Sequence, residues 1–284
     1  MLVLPFSKNE AKAMLPYLHG YKVVQTVTAG VDSILPWMPN GITLCDGRGI
    51  HDISVAEWVA SVVLGVYKRL PHYRDLQQQQ VWKGQSDGEV FTDDSATSNG
   101  LYRILGEELA GRTVMIVGYG SIGVAIEERL RPFGVEFLRL ARTAKQSPQV
   151  HAISDLHALL PKADVVVLIV PLTDDTRGLI GEPEMSMMKQ GALLVNAARG
   201  PVVDTKALVA ALESHRLRAA LDVTDPEPLP AGHPLWSAPN LLLTPHVAGS
   251  TPEFVERAFR FVAEQAGRMA RGEKLENIVS DAGY

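Results

Sequence analysis

The chain reads as an α/β protein: a doubly wound parallel sheet carries most of the molecule, and a second, smaller α/β unit precedes it. Three observations predict this. The first is the glycine loop Gly118-Tyr119-Gly120-Ser121-Ile122-Gly123, preceded by Val114-Met115-Ile116-Val117 and followed by Val124-Ala125-Ile126. An apolar run, a tight glycine turn and the start of a helix make the layout of a dinucleotide-binding unit. The second is the alternation of short apolar runs with helix-like segments downstream, which implies parallel strands joined by crossover helices. The third is size and composition. A chain of 284 residues, 46% apolar and 21% charged, suits a globular protein long enough for two units.

The elements follow in order. Leu2-Val3-Leu4 opens a strand, Ala11 to Leu18 a helix, and Lys22 to Val27 a second strand that runs into the loop Thr28-Ala29-Gly30-Val31-Asp32. Ile42-Thr43-Leu44-Cys45 is a short third strand. From Ser54, the residues Val55, Trp58, Val59, Val62, Val63 and Val66 recur at helical spacing, and Ser54 with Glu57 suggests a capping box. The polar, turn-rich stretch Gly84 to Gly100 reads as the crossing between units, placing the first unit at residues 1–95 and the dinucleotide-binding unit at 96–253. In the latter, the strand Val135 to Leu140 is entered through Phe133-Gly134. A helix near Ser154 to Leu160 and the strand Asp164 to Val170, apolar enough for burial on both faces, come next. Ala192 to Asn196, Ala219 to Val223 and Leu241 to Thr244 are further strands, with a helix from Thr205 to Ser214 between the first two. A last amphipathic helix, Pro252 to Arg271, returns the chain to the first unit, which residues 254–284 complete.

A net charge of −5 gives no electrostatic reason to expect nucleic acid or an anionic membrane as a partner. The longest apolar stretch, Val165 to Leu172, is far short of a membrane span, and Met1 to Phe6 lacks the features of a signal peptide. Cys45 is the single cysteine, which leaves no intrachain disulfide and no cysteine cluster for a metal. A cytoplasmic protein without a metal is the expectation.

In the glycine loop, Gly118 allows the tight turn, Gly120 lets the backbone approach a pyrophosphate, and Gly123 lets helix pack on strand. The acidic residue that normally meets the adenosine ribose about 20 positions on is missing. The second strand ends in Ala141-Arg142-Thr143, and Glu136 lies too early to reach a ribose. An arginine in place of that carboxylate suits a 2′-phosphate, which guanidinium pairs with as a fork. NADP(H) is therefore favoured over NAD(H); the plainer explanation makes Arg142 an ordinary surface charge.

Ligands of such sheets bind at the carboxyl ends of the strands, and Arg199, Glu227 and His246 each follow one. The trio suits reduction of a 2-keto acid. Arg199 can hold the carboxylate, His246 as imidazolium can give a proton to the keto oxygen, and Glu227 can favour that imidazolium by its charge. Each has a plainer reading: Arg199 neutralising Asp204, Glu227 solvated in a proline-rich loop, His246 one of eight histidines. Their shared position downstream of a dinucleotide loop is what singles them out.

From Gly118 to Thr251 the chain resembles the D-isomer-specific 2-hydroxyacid dehydrogenase family, and within it the glyoxylate/hydroxypyruvate reductases. Five ordered segments carry the likeness: the glycine loop, Pro171-Leu172-Thr173-Asp174-Asp175-Thr176-Arg177-Gly178-Leu179-Ile180, Asn196 to Asp204, Leu221 to Pro230, and Thr244-Pro245-His246-Val247-Ala248-Gly249-Ser250. The resemblance implies a Rossmann cofactor domain and a flavodoxin-like substrate domain. The strand, helix and strand with which members usually begin are not found before Leu2-Val3-Leu4-Pro5, so either the latter domain is shortened or the start at Met1 is late. It further implies that Arg199, Glu227 and His246 are catalytic. Asp222 and the backbone at Ala197 would meet the nicotinamide carboxamide. Ser121, Ile122, Pro171, Thr176, Ala198 and Gly249 would border the cofactor with the loop glycines, Arg142 and the catalytic Arg199 and His246. Ala29 and Gly30 would bind substrate alongside Arg199 and His246, with Asp32 assigned to helix capping.

The activity so implied is NADPH-dependent reduction of a small 2-keto acid, such as glyoxylate or hydroxypyruvate, to a D-2-hydroxy acid. Glu227 stands where a formate dehydrogenase would normally carry glutamine. A phosphite dehydrogenase-like enzyme shares the three catalytic residue types, and a non-enzymatic NAD(P)-sensing corepressor-like protein can keep them; both remain alternatives. By the same resemblance, a homodimer would form through residues 54–70, whose apolar stripe is equally suited to the chain's own core. Trp82, Tyr102 and Trp236 are either pocket walls or packing.

Overall fold

The computed structural model describes residues 1–17, 19–82 and 106–279. Two parallel sheets organise them. The larger has seven strands in the order β10-β9-β8-β7-β4-β5-β6: β4 (Thr113–Val117), β5 (Glu136–Ala141), β6 (His151–Ala152), β7 (Val165–Leu168), β8 (Leu193–Asn196), β9 (Arg218–Leu221) and β10 (Leu241–Leu243). The chain runs outward from β4 through β5 to β6, then crosses back to β7 on the other side of β4. The strand order reverses there, which opens a crevice at the carboxyl ends of β4 and β7.

Alternate residues of the central strands enter two cores, as a two-residue side-chain period requires. Met115, Val117, Val166, Leu168 and Leu194 face one layer, with Leu156, Leu208 and Leu212. Val114, Ile116, Val165, Val167, Leu193 and Val195 face the other, with Val59, Val63, Ile126 and Leu130. Helices α5 (Leu156–Leu159), α6 (Glu182–Met187) and α7 (Thr205–Glu213) belong to the first layer, α2 (Asp52–Tyr67) and α4 (Ser121–Leu130) to the second. The apolar stripe of α2 is thus used inside the chain, on α4 and the large sheet, although its residues precede position 95.

The small sheet has the order β1-β2-β3, from Leu2–Val3, Val23–Gln25 and Thr43–Cys45. Its core is Leu4, Ala11, Leu15, Val24, Val31, Ile34 and Leu44. The first helix, α1 (Lys8–Met14), starts earlier than the sequence suggests because the Ser7 hydroxyl accepts from Glu10 N. Pro16 falls in the 3₁₀ turn that replaces its expected end. The closing helix α8 (Glu253–Ala270) returns to this sheet. Buried Gln265 donates to Gln25 Oε1 at 3.0 Å, Val279 N donates to Leu44 O, and Ile278 bridges to Cys45 antiparallel.

Several local expectations are corrected. Helix α2 begins at Asp52 with His51 as N-cap. Ser54 is buried in the first turn and donates to His51 O at 3.1 Å, so the Ser54–Glu57 capping box is not formed. The helix expected at 154–160 is broken into 3₁₀, α and 3₁₀ turns, with Pro161 in the last. Helix α3 (Leu70–Gln78), with Pro71 in its first turn, is an element for which the sequence reading made no prediction. The Gly84–Gly100 crossing, the boundary at residue 95 and Tyr102 lie outside the described residues. No helix among the described residues is long and apolar enough to cross a membrane.

Candidate active site

The glycine loop closes directly on the crevice. Gly118 has φ +106°, a left-handed geometry that suits glycine, and a Cβ there would lie 2.6 Å from Ile169 O just past β7. A Cβ at Gly123 would stand 2.9 Å from Gly118 O, so close packing of α4 on the strand also needs a bare Cα. At Gly120 an added Cβ meets nothing within 4 Å. Open space above that backbone, with the free N–H groups of the first turn of α4 beside it, fits a pyrophosphate. Ser121 Oγ donates to Asp52 Oδ1 at 3.2 Å, and Ile122 is half-buried against the α2–α4 core. Pro171 and Thr176 belong to one closed loop, since the Thr176 hydroxyl donates to Pro171 O at 2.6 Å and accepts from Thr173 N at 2.8 Å. Arg142 is exposed just beyond the carboxyl end of β5.

Beneath this loop is a charged cluster that the motif reading did not find. Glu127 on α4 is only 2% exposed. It accepts from Tyr119 OH at 2.8 Å, from Arg139 Nη2 at 2.6 Å, and from Arg131. Arg139 also stacks over the Tyr119 ring, 5.6 Å from its centroid. Burial alone would raise the carboxyl pKa, but the hydrogen bonds from Arg139 and Tyr119 outweigh it and hold Glu127 below its ordinary value. A polar residue at the seventh position of an amphipathic helix is its only trace in the sequence.

At the end of β8, buried Asn196 knits the turn that aims Arg199. Its Oδ1 accepts from Ala198 N and its Nδ2 donates to Arg199 O, both at 3.0 Å. Ala197 and Ala198 form that turn. The guanidinium donates through Nη1 to Ala198 O at 2.7 Å and through Nε to Asp32 Oδ1 at 3.1 Å. A Cβ built on Gly30 would fall 1.5 Å from Arg199 Nη2, so the guanidinium lies directly on the backbone of the Ala29–Gly30 loop. Asp32 is therefore an ion-pair partner of Arg199 rather than a helix cap. Asp204 is the cap instead, accepting from Ala207 N at the start of α7, which corrects the plain reading of Arg199.

His246 stands just beyond β10 with φ +57°, a conformation costing a non-glycine residue roughly 1 kcal/mol. Asp222, 3% exposed at the end of β9, sustains it. The Asp222 carbonyl accepts from His246 N at 2.7 Å. Its carboxylate accepts from Thr244 Oγ1, from Val247 N and from Ala248 N, the last two at 2.9 Å. His246 Nδ1 lies 2.7 Å from Glu227 Oε1, and both side chains are about one-third exposed (37% and 34%). Gly249 follows, its carbonyl 3.3 Å from His51 Nδ1. Trp82 and Trp236 are not packed in a core: they are 92% and 59% exposed, and Trp236 Nε1 donates to Pro230 O. Among the described residues no group of three or more His, Cys, Asp or Glu is arranged to hold a metal.

Arg199 on Gly30 and His246 on Glu227 are thus two ready-made pairs at the carboxyl ends of the sheet, on the same side as the glycine loop. Together they can grip a carboxylate and present a proton next to a bound dinucleotide. Comparison with known proteins gives the family. Residues 60–248 match the family model for the D-isomer specific 2-hydroxyacid dehydrogenase NAD-binding domain. The chain is 36% identical over 267 residues to a glyoxylate reductase of Thermofilum pendens, covering 91% of this chain and 75% of that protein. It is 42% identical over 259 residues to glyoxylate/hydroxypyruvate reductase B of Escherichia fergusonii, 88% of this chain and 75% of that one. Against the D-3-phosphoglycerate dehydrogenase of Methanocaldococcus jannaschii it is 33% identical over 266 residues, 91% of this chain, but spans only 47% of that longer protein. Among solved structures, the NADPH-dependent glyoxylate/hydroxypyruvate reductase of Sinorhizobium meliloti, in complex with NADP and sulfate, superposes with a TM-score of 0.81 at 26% identity. That match covers 99% of this chain and 84% of that one. The chain belongs to the D-isomer specific 2-hydroxyacid dehydrogenase family.

Proposed function

We propose that the protein reduces a small 2-keto acid of the glyoxylate or hydroxypyruvate type to the D-2-hydroxy acid, with NADPH as reductant. The observation that carries this reading is the His246–Glu227 pair, 2.7 Å apart, on the same sheet edge as Arg199 and the glycine loop. Gly118, Gly120, Ser121, Ile122 and Gly123 would cradle the pyrophosphate, with Pro171, Thr176, Ala197, Ala198, Asp222 and Gly249 bordering the rest of the dinucleotide. The reduced nicotinamide, when bound, supplies the hydride. Arg199 holds the substrate carboxylate with the N–H groups left over from Asp32 and Ala198 O, and the backbone at Ala29 and Gly30 closes on the same group. With Nδ1 committed to Glu227, His246 presents Nε2 to the keto oxygen and donates the proton that completes the hydroxyl. Glu227 offsets the imidazolium charge before transfer. Arg142, where NAD-using relatives carry a carboxylate, supports the preference for a 2′-phosphate. A homodimer belongs to the same proposal and is checked by sedimentation velocity.

The test is absorbance at the reduced-nicotinamide band, with NADPH and with NADH, against glyoxylate, hydroxypyruvate, pyruvate and bulkier 2-keto acids. Faster oxidation of NADPH by one of the small acids is expected. Binding of NADPH with no turnover of any of them would overturn the enzymatic reading.

A further inference from the structure

We propose that His51 is a positioning residue for the proton donor: its side chain ties the loop that carries His246 to the loop that carries Gly30. The inference deepens the proposed function and rests on it. These two loops belong to different sheets and share no strand, so their separation must be set by contacts between side chain and backbone. His51, at the N-terminus of α2, lies between them. Its Nδ1 is 3.3 Å from Gly249 O, three residues past His246. The imidazole also lies against the backbone of Val27, three residues before Gly30. Both backbone contacts favour the protonated ring while burial opposes it, and the neutral ring has one N–H to donate at a time.

The surroundings hold the ring in that place. It stacks on Phe254 of α8, with centroids 4.7 Å apart and planes 13° from parallel. A Cβ at Gly249 would lie 2.7 Å from Nδ1, so the close approach depends on a glycine there. Just upstream, Gly47 N donates to Thr28 O at 2.9 Å, and a Cβ on Gly47 would stand 2.6 Å from the Val27 carbonyl carbon. From α8, Arg257 Nε donates to Ile50 O at 2.8 Å. The adjacent Asp52 takes the Ser121 hydroxyl at the glycine loop. The start of α2 therefore touches the Gly30 loop, the His246 loop and the entry to α4. Arg257 and Asp52 are the charged groups acting on the ring. A displacement of about 1 Å in a catalytic group costs roughly 100-fold in rate, so a tie at this point bears on kcat more than on cofactor affinity.

Two measurements test this, on His51→Ala and on His51→Gln, whose amide N–H can still donate to a carbonyl. The first is independent of turnover. Hydrogen exchange in His51→Ala should quicken in both 26–31 and 246–250, with β4 and β7 unchanged. Acceleration confined to residues 50–54 would overturn the tie. The second uses whichever 2-keto acid the unaltered protein reduces. In His51→Ala, kcat should fall about 10- to 100-fold with the NADPH Kd unchanged, and His51→Gln should recover most of it. In a His246→Ala background, removing His51 should cost less than about threefold, because groups that act as one unit are not additive. A full additional loss there would mean that His51 does not act through His246. If the unaltered protein reduces no 2-keto acid, the enzymatic reading fails, while the exchange measurement still decides whether the two loops are tied.

Discussion

The large sheet buries β7 and β8 completely on both faces, with helical layers over each. The small sheet has strands of two or three residues over a modest apolar core. The proposed chemistry is shared between them just as unequally. Glu227, His246, Arg199 and the glycine loop all rise from the well-packed frame. The small sheet contributes backbone at Gly30, the carboxylate of Asp32 and, through the start of α2, the ring of His51. A rigid frame fixes reacting groups to a fraction of an ångström, while loops on a thinner support can move to admit a substrate. Changes on the large sheet should therefore show in rate and global stability, and changes on the small one in substrate affinity and local opening.

The largest expected effect tests that division directly. His246→Ala should lower kcat by about 10²- to 10⁴-fold and leave the NADPH Kd unchanged, as read by fluorescence titration. Asp32→Asn, on the other side of the cleft, should raise KM several-fold with kcat within about twofold, by loosening the Arg199 fork. An equal loss of kcat in Asp32→Asn would break the comparison. Next is stability. Glu127→Ala leaves Arg139 and Arg131 without their buried anion and should cost about 3 kcal/mol, a Tm drop of roughly 5–10 °C. Gln265→Ala, at the seam of the small sheet, should cost about 1–2 kcal/mol and open only residues near β2, β3 and α8 to hydrogen exchange.

The glycine loop, the central strands and the trio at the strand ends were legible because each rests on local chemistry: a turn only glycine makes, a period of two, or a reactive residue just past an apolar run. What escaped was non-local. Asp32 faces Arg199 across 167 positions, and no nearby pattern announces a partner that distant. Glu127 looks like one more polar residue of an amphipathic helix until β5 brings Arg139 over it. His51 looks like loop because Ser54 offered a better cap by type; the true first turn starts before it, where no side chain caps the helix. The packing reading of Trp82 and Trp236 missed because aromatic size says nothing of which side of a loop a ring occupies.

Two smaller effects sharpen the comparison. Arg142→Ala, at the edge of the large sheet, should weaken NADPH about tenfold more than NADH; equal losses would remove Arg142 from cofactor choice. The smallest effect concerns pH. Burial, the main cause, holds the His51 pKa below its ordinary value, so the folded ring resists a proton that the unfolded chain accepts below about pH 6.5. The unfolded state then binds more protons, and stability falls as pH drops below that point until the folded ring also protonates. Denaturant midpoints at pH 7.5 and 5.5 should therefore fall less for His51→Gln than for the unaltered protein.

The antiparallel bridge between Cys45 and Ile278 has a consequence for the order of assembly. On the ribosome, residues 1–45 emerge before the large sheet, yet their last hydrogen-bonded neighbour is more than two hundred residues away. The large sheet can close in full while the small one still lacks its edge. The sheet made earlier is thus the one finished later, and until Val279 is made the Leu44 carbonyl lacks the donor it takes from there. Chain-termination products cut before residue 278 should hold the dinucleotide unit folded while this edge stays open to proteases and to other chains.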